Sequence, residues 1–254
     1  MQKSFYFILL LILCLSCKKY KESEKEVYGS YILRLTDSPG EYDHLYIDIQ
    51  QVSVNVDGIG WVDVGPQAPG IYDILSFDNG MDTLLVNASL PVGTVNQIRL
   101  KLGTNNSVVI SGISHNLIVA SSEQSGIKLN VNTGIYENSA TVEWMDFDAG
   151  KSVIELGNGS YRLKPVLHSF SASNNGRING MLLPAAALAH VEAIKGSDTL
   201  VAIPEDDGFF QFSGLQGNYK LRFVPSNQTY SEQTLMNNQV SGNQLISIGT
   251  ITLQ

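Results

Sequence analysis

The chain has 254 residues and a net charge of −8, from 16 Lys plus Arg against 24 Asp plus Glu. Such an acidic balance lacks the basic footprint of a nucleic-acid binder, and two cysteines are too few for a disulfide scaffold. Hydrophobic residues make up 43%, enough for a packed core and too many for global disorder, while no apolar run reaches the roughly 18 residues of a membrane-spanning helix.

The first seventeen residues read as an address. A short region with one lysine, Met1–Ser4, precedes the apolar run Phe5–Leu13, which has the length of a signal-peptide core. The run ends in Cys14-Leu15-Ser16-Cys17. Small Ser16 before Cys17 directs cleavage to that bond, and the arrangement resembles the lipobox of bacterial lipoproteins, with Cys14 where an aliphatic residue is usual. The resemblance implies that Cys17 becomes the lipidated, palmitate-type anchor residue of an outer-membrane lipoprotein, facing either the periplasm or the outside. The rival reading, a Cys-x-x-Cys redox or metal pair, lacks the βαβ context such a pair needs. Several acyl chains, each contributing about 0.8 kcal/mol per buried CH₂, would anchor the chain essentially permanently. Residues 18–28 carry four Lys and three Glu with little to bury, so they read as a flexible tether spanning at most about 35–40 Å.

From Val27 onward period-two alternation dominates, which predicts an all-β chain of two sandwich-like domains. Tyr31, Leu33 and Leu35 share one face. Leu45, Ile47 and Ile49 hold odd positions, but Val52, Val54 and Val56 hold even ones, so a β-bulge is expected near Gln50-Gln51. Asn79-Gly80 marks a turn, and Gln97–Leu102 alternates cleanly. Ile127, Leu129 and Val131 share a face, and Asn158-Gly159 marks a hairpin. Small, polar Ser169–Gly176 separates a first domain, 29–170, from a second, 174–254. Ala-rich Pro184–His190 is the one helix candidate, with a loop as the alternative.

Two resemblances follow from particular residues. Leu35-Thr36-Asp37-Ser38-Pro39-Gly40-Glu41-Tyr42-Asp43, Ile47–Val52, Tyr72–Leu75, Gln97–Leu100, Ser125–Leu129, Asp146–Ser152 and Tyr161–Val166 come in an order that resembles family 4382 of the domains of unknown function, DUF4382. That resemblance implies a lipoprotein domain and no particular activity. Ile178-Asn179-Gly180, Gly208–Leu215 and Gly217–Phe223 resemble the carboxypeptidase-regulatory-like, transthyretin-type sandwich, which implies an accessory module for spacing, stiffening or adhesion. Tyr219, Leu221 and Phe223 alternate onto one face of it.

Chemistry-bearing groups are sparse. His44, His115, His168 and His190 have no zinc-like spacing, and there is no Gly-x-Ser-x-Gly elbow, P-loop or Gly-x-Gly-x-x-Gly. Residues 27–98 hold one base, Arg34, against eight Asp and one Glu. A Ca²⁺ site could draw on Asp37, Asp43 or Asp48, although no loop repeats Asp at calcium-loop spacing, and Asp also marks turns. Asp146 and Asp148 fall on one strand face with Trp144, opposite Met145, Phe147 and Ala149. Two such carboxylates repel unless something lies between them, so they form a candidate cation or ion-pair site, with Arg99 or Lys164 as candidate partners. Asp82-Thr83-Leu84 and Asp198-Thr199-Leu200 match an Asp-Thr-apolar pattern of bacterial O-glycosylation, which makes Thr83 and Thr199 candidate acceptors. Trp61, Tyr42, Tyr46 and Tyr72 are candidates for stacking on sugars, against the commoner fate of aromatics in the core.

The expectation is a non-catalytic, membrane-anchored envelope lipoprotein that binds a glycan or protein ligand. The alternatives are a structural subunit of an envelope assembly and a carbohydrate-active enzyme.

Overall fold

The computed structural model describes residues 26–123 and 125–254. The leader, the lipobox with Cys17 and tether residues 18–25 lie outside the described residues. The described chain is all-β, as its alternation demands. Up to Phe170 it forms β1 (Tyr28–Ser38), β2 (His44–Val56), β3 (Gly60–Gly65), β4 (Gly70–Asp73), β5 (Thr83–Pro91), β6 (Gly93–Leu102), β7 (Ser107–Ile110), β8 (Ile113–Val119), β9 (Ile127–Ile135), β10 (Ala140–Asp148), β11 (Val153–Leu156), β12 (Ser160–Leu163) and β13 (Leu167–Phe170). Beyond it come β14 (Gly176–Leu183), β15 (Ala189–Lys195), β16 (Asp198–Ala202), β17 (Phe209–Leu215), β18 (Gly217–Pro225), β19 (Gln233–Val240) and β20 (Leu245–Thr252).

The first module stacks a four-stranded sheet, β13-β10-β1-β5, on a nine-stranded one. The latter runs β11-β12-β8-β7-β2-β6-β9, with β3 and β4 also paired to β2. Tyr31, Leu33 and Leu35 of β1 and Met145 and Phe147 of β10 meet Leu45, Ile47, Ile49, Val52, Val54, Ile98 and Leu100 in one core, all fully buried. Each such side chain contributes about 1.5–3 kcal/mol by leaving water. The bulge in β2 lies where the change of phase requires it: its register with β6 shifts between Ile49 and Gln51, and both apolar triplets stay inside. The β11–β12 hairpin turns through Gly159 at φ +76°, a left-handed conformation that suits glycine.

The second module stacks β17-β14-β20 on β16-β15-β18-β19 around its own core, which includes Phe210, Leu221 and Phe223. Phe210 and Phe223 pack edge to face at 6.0 Å. Pro184–His190 does not form a helix. It contains a single 3-10 turn, Ala185–Ala187, ended by Leu188 in the left-handed region, because the chain must enter β15 at once.

β1 pairs with β10 in parallel although more than a hundred residues separate them, which aligns Thr36 with Asp146 and Ser38 with Asp148. β10 pairs with β13 antiparallel, which sets Trp144 beside Phe170 and Asp146 beside His168. The outer face of the four-stranded sheet therefore collects Arg34, Thr36, Ser38, Trp144, Asp146, Asp148, His168 and Phe170. The second module sits on this face.

Candidate functional site

Asp146 and Asp148 are brought together there, and both are buried. Their cationic partners are Lys151 and His168, which corrects the expectation of Arg99 or Lys164. Arg99 lies on the other sheet, with its guanidinium against Trp61, and Lys164, just after β12, forms no ion pair with either aspartate. The reason is local. Strand β10 stops at Asp148, which caps the one-turn helix α1 (Ala149–Ser152): its Oδ1 accepts the Lys151 backbone N–H at 3.0 Å. That turn swings Lys151 Nζ to 2.9 Å from Asp148 Oδ2. His168 Nε2 stands 3.7 Å from the same oxygen, an ion-pair distance and too long for a hydrogen bond.

A third carboxylate joins them. Asp37 Oδ1 accepts the Ala149 N–H at 3.2 Å, while its buried Oδ2 has no partner. Burial, with the neighbouring Asp146 charge, pushes the Asp37 carboxyl well up. Burial likewise pushes Asp146 up to about 7, against the opposing pull of the Ser38 hydroxyl, which donates to Oδ2 at 2.9 Å, and of His168. Burial also acts on Asp148, but His168 and Lys151 outweigh it and hold the carboxyl below its ordinary value. His168 is raised by Asp148 in return.

This cluster is a joint between the modules. Lys151 Nζ also donates to the Thr199 carbonyl at 2.8 Å and lies 3.5 Å from Asp198, both on β16. Asn79, held at φ +46° in the Asn79-Gly80 turn, donates to the Ile203 carbonyl at 2.9 Å and accepts the Gln211 N–H at 3.2 Å. Phe170 packs on Trp144 at 5.7 Å and fills the space over Gly214. The cavity left beside Asp37 and Asp146 is only about 20 Å³, room for a single water. Such a site can store a proton and tie two modules together.

The other candidate residues do not converge on it. Asp43 accepts the Gly112 N–H at 2.7 Å, and Asp48 accepts the Asn105 N–H at 3.1 Å, each stabilising a separate loop. Among the described residues no group of three or more His, Cys, Asp or Glu is placed to hold a metal ion. Thr83 and Thr199 are half-buried on the edge strands β5 and β16. Tyr72 donates to the Ala68 carbonyl at 2.6 Å and Tyr46 stacks on His44, while half-buried Tyr42 packs against the first core. Trp61 is different: it is 37% exposed on the outer face of the nine-stranded sheet, with Arg99 and Lys128 beside its ring.

Residues 29–165 match the family described as Domain of unknown function (DUF4382). The chain belongs to that family. The DUF4382 segment runs through β12, so His168 and Phe170 of the joint lie just beyond it. No curated protein matches the chain. Among solved structures it is similar to the Bacillus anthracis TIE protein at 10% identity and a TM-score of 0.25, covering 89% of this chain and 34% of that one. The BcpA major pilin subunit of Bacillus cereus gives 11% identity and a TM-score of 0.22, covering 89% and 70%. The fimbrial anchor protein Mfa2 of Porphyromonas gingivalis gives 8% and 0.20, covering 82% and 83%. The chain thus spans about a third of the TIE protein's length, and likenesses at these TM-scores carry no argument about its role. Among the described residues no helix is long and apolar enough to cross a membrane.

Proposed function

We propose that this DUF4382 protein is a non-catalytic lipoprotein of the cell envelope, anchored through Cys17, whose two β modules form one jointed body that presents a ligand-binding surface. The supporting observation is the disposition of its ionisable groups. The carboxylates of Asp37, Asp146 and Asp148 are buried beside a cavity of about 20 Å³, with His168 and Lys151 at its partly exposed rim, whereas the nine-stranded sheet turns a polar face carrying Trp61 to solvent. A buried carboxylate pair tied to Lys151 and His168 supports a structural role for the joint and leaves function to the exposed face. The second module, read as a transthyretin-type sandwich, stiffens the first and offers a second contact surface.

A glycan array probed with the full-length chain, beside affinity purification from envelope membranes, tests this reading. Sugar binding that depends on exposed aromatics is expected; a stoichiometric envelope partner without glycan binding would make the protein an assembly subunit, and turnover of a polysaccharide would overturn the non-catalytic reading. Palmitate labelling should disappear in Cys17→Ala, and labelling that persists there removes the anchor. Thr83 and Thr199 are proposed O-glycosylation positions, and the intact mass of Thr83→Ala should lack one glycan.

A further inference from the structure

We infer that the outer face of the nine-stranded sheet is a platform for an acidic saccharide of the uronate class. This rests on the binding role proposed above and names the ligand chemistry of that surface.

Strand register builds the platform in rows. Asn55 pairs with both Trp61 and Gln97, and Gln97 with Asn130, so one aromatic and three amides line up across four strands. In the adjacent row Ser53 pairs with Asp63 and Arg99, and Arg99 with Lys128. Lys101 extends the cationic side opposite Gln51. Every one of these side chains leaves the sheet on the face opposite the core residues Val52, Val54, Ile98 and Leu100.

The centre of the platform is held in place. Ser53 is small enough for Arg99 to lie across it: Nη2 donates to Ser53 Oγ at 3.3 Å, and the guanidinium carbon stands 4.4 Å from the Trp61 ring centroid. The Arg99 stem passes over Gly126, where an added Cβ would come within 2.7 Å of Arg99 Cγ. Lys128 Nζ reaches 5.9 Å from the same ring. Fixing the fork before binding spares the rotamer entropy that a long side chain otherwise loses.

Charge selects the occupant. Among the described residues no ion pair engages Arg99, Lys101 or Lys128, although this chain carries a net charge of −8. Asp63, the carboxylate in the same row, accepts Gln51 Nε2 at 2.6 Å. Three cations without an ion-pair partner among the described residues, on a platform of amides, call for an anion, and a planar guanidinium matches a carboxylate in two-point contact. The indole offers a flat apolar surface to the C–H face of a pyranose. Gln97 Nε2 donates to Asn130 Oδ1 at 2.7 Å, which leaves the Gln97 carbonyl and the Asn130 amide N–H₂ for sugar hydroxyls. A neutral sugar would leave the cations unmatched, and an acidic peptide would leave the row of amides and indole unmatched.

Isothermal titration of the full-length chain in detergent micelles, with tetragalacturonate and tetramannuronate, tests the inference. Saturable, salt-sensitive binding of at least one of them is expected, weakened about tenfold or more by Trp61→Ala and by Arg99→Gln, with Arg99→Lys falling between. Methyl esterification of the bound tetramer should weaken it similarly. The inference is overturned if neither uronate binds, if both variants bind as wild type does, or if tetraglutamate binds as tightly. Equal binding of the methyl ester overturns the acidic specificity alone and leaves the wider binding role standing; loss of all glycan binding in the array removes both.

Discussion

The two outer faces of the first module start from the same pattern and meet different fates. On β6, Gln97, Arg99 and Lys101 alternate with buried Ile98 and Leu100 and stay in contact with water. On β10, Trp144, Asp146 and Asp148 alternate with buried Met145 and Phe147, yet both aspartates are themselves buried because the second module covers them. Alternation reports which face avoids the core, and it is silent about whether water or protein lies on the other side. The covered face converts its charges into internal pairs and raised carboxyl pKa values; the open face leaves its cations available.

Breaking the covered face should cost the most stability. Gly214 has φ +75°, and a Cβ there would lie 2.7 Å from the Phe170 ring, so Gly214→Val combines backbone strain with a clash. A loss of about 2–4 kcal/mol in urea unfolding is expected; a wild-type midpoint would mean that Phe170 does not seal the joint.

Acidity should act on the same face in a defined direction. Asp146, pushed up to about 7, Asp78, pushed up to about 6 by burial and by Glu205 across the joint, and Asp37 all hold protons more tightly folded than unfolded. Their contribution is full near pH 4 and is lost as pH rises through the folded values. His168, also raised, contributes below its ordinary 6.5 and loses that contribution as pH rises further. Within the joint Asp148 has the opposite sign, being lowered, and it acts below its ordinary 3.8. Melting temperature should therefore fall from pH 5 to pH 8, by the equivalent of roughly 1–3 kcal/mol, and Asp146→Asn should flatten the slope. A profile that rises over this range would contradict the buried, proton-holding joint.

Asn79→Gly keeps the left-handed turn while removing the side chain that bonds Ile203 and Gln211, so a loss of about 1–2 kcal/mol is expected. Equal stability would show that this latch is replaced by water. The smallest effect belongs to the open face: Trp61→Ala should change stability by less than about 1 kcal/mol, because the ring sits on an edge strand and is partly exposed. A large destabilisation would mark Trp61 as a packing residue and remove the contrast between the faces.

Much of the fold was legible along the chain. Tyr31, Leu33 and Leu35, the change of phase around Gln50-Gln51 and the alternation through Asp146 and Asp148 all follow from the two-residue repeat of a strand, a local property. The cationic partners were harder to see. Lys151 depends on Asp148 ending its strand as a helix cap, where the two-residue repeat stops applying. His168 depends on the antiparallel register of β13 beside β10, and nothing in its own neighbourhood marks it. Asn79-Gly80 was visible as a turn, but its bonds to Ile203 and Gln211 join positions more than a hundred residues apart.

The sequence by itself determined the acidic, all-β character, the DUF4382 family over 29–165 and which residues face each core, because burial of alternating apolar side chains is decided residue by residue. Tertiary structure alone decided which polar face is dry and which is wet. That outcome turns on one module docking on the other, and docking depends on the fit of surfaces assembled from distant segments, on Thr36 meeting Asp146, Asp146 meeting His168 and Lys151 reaching Thr199.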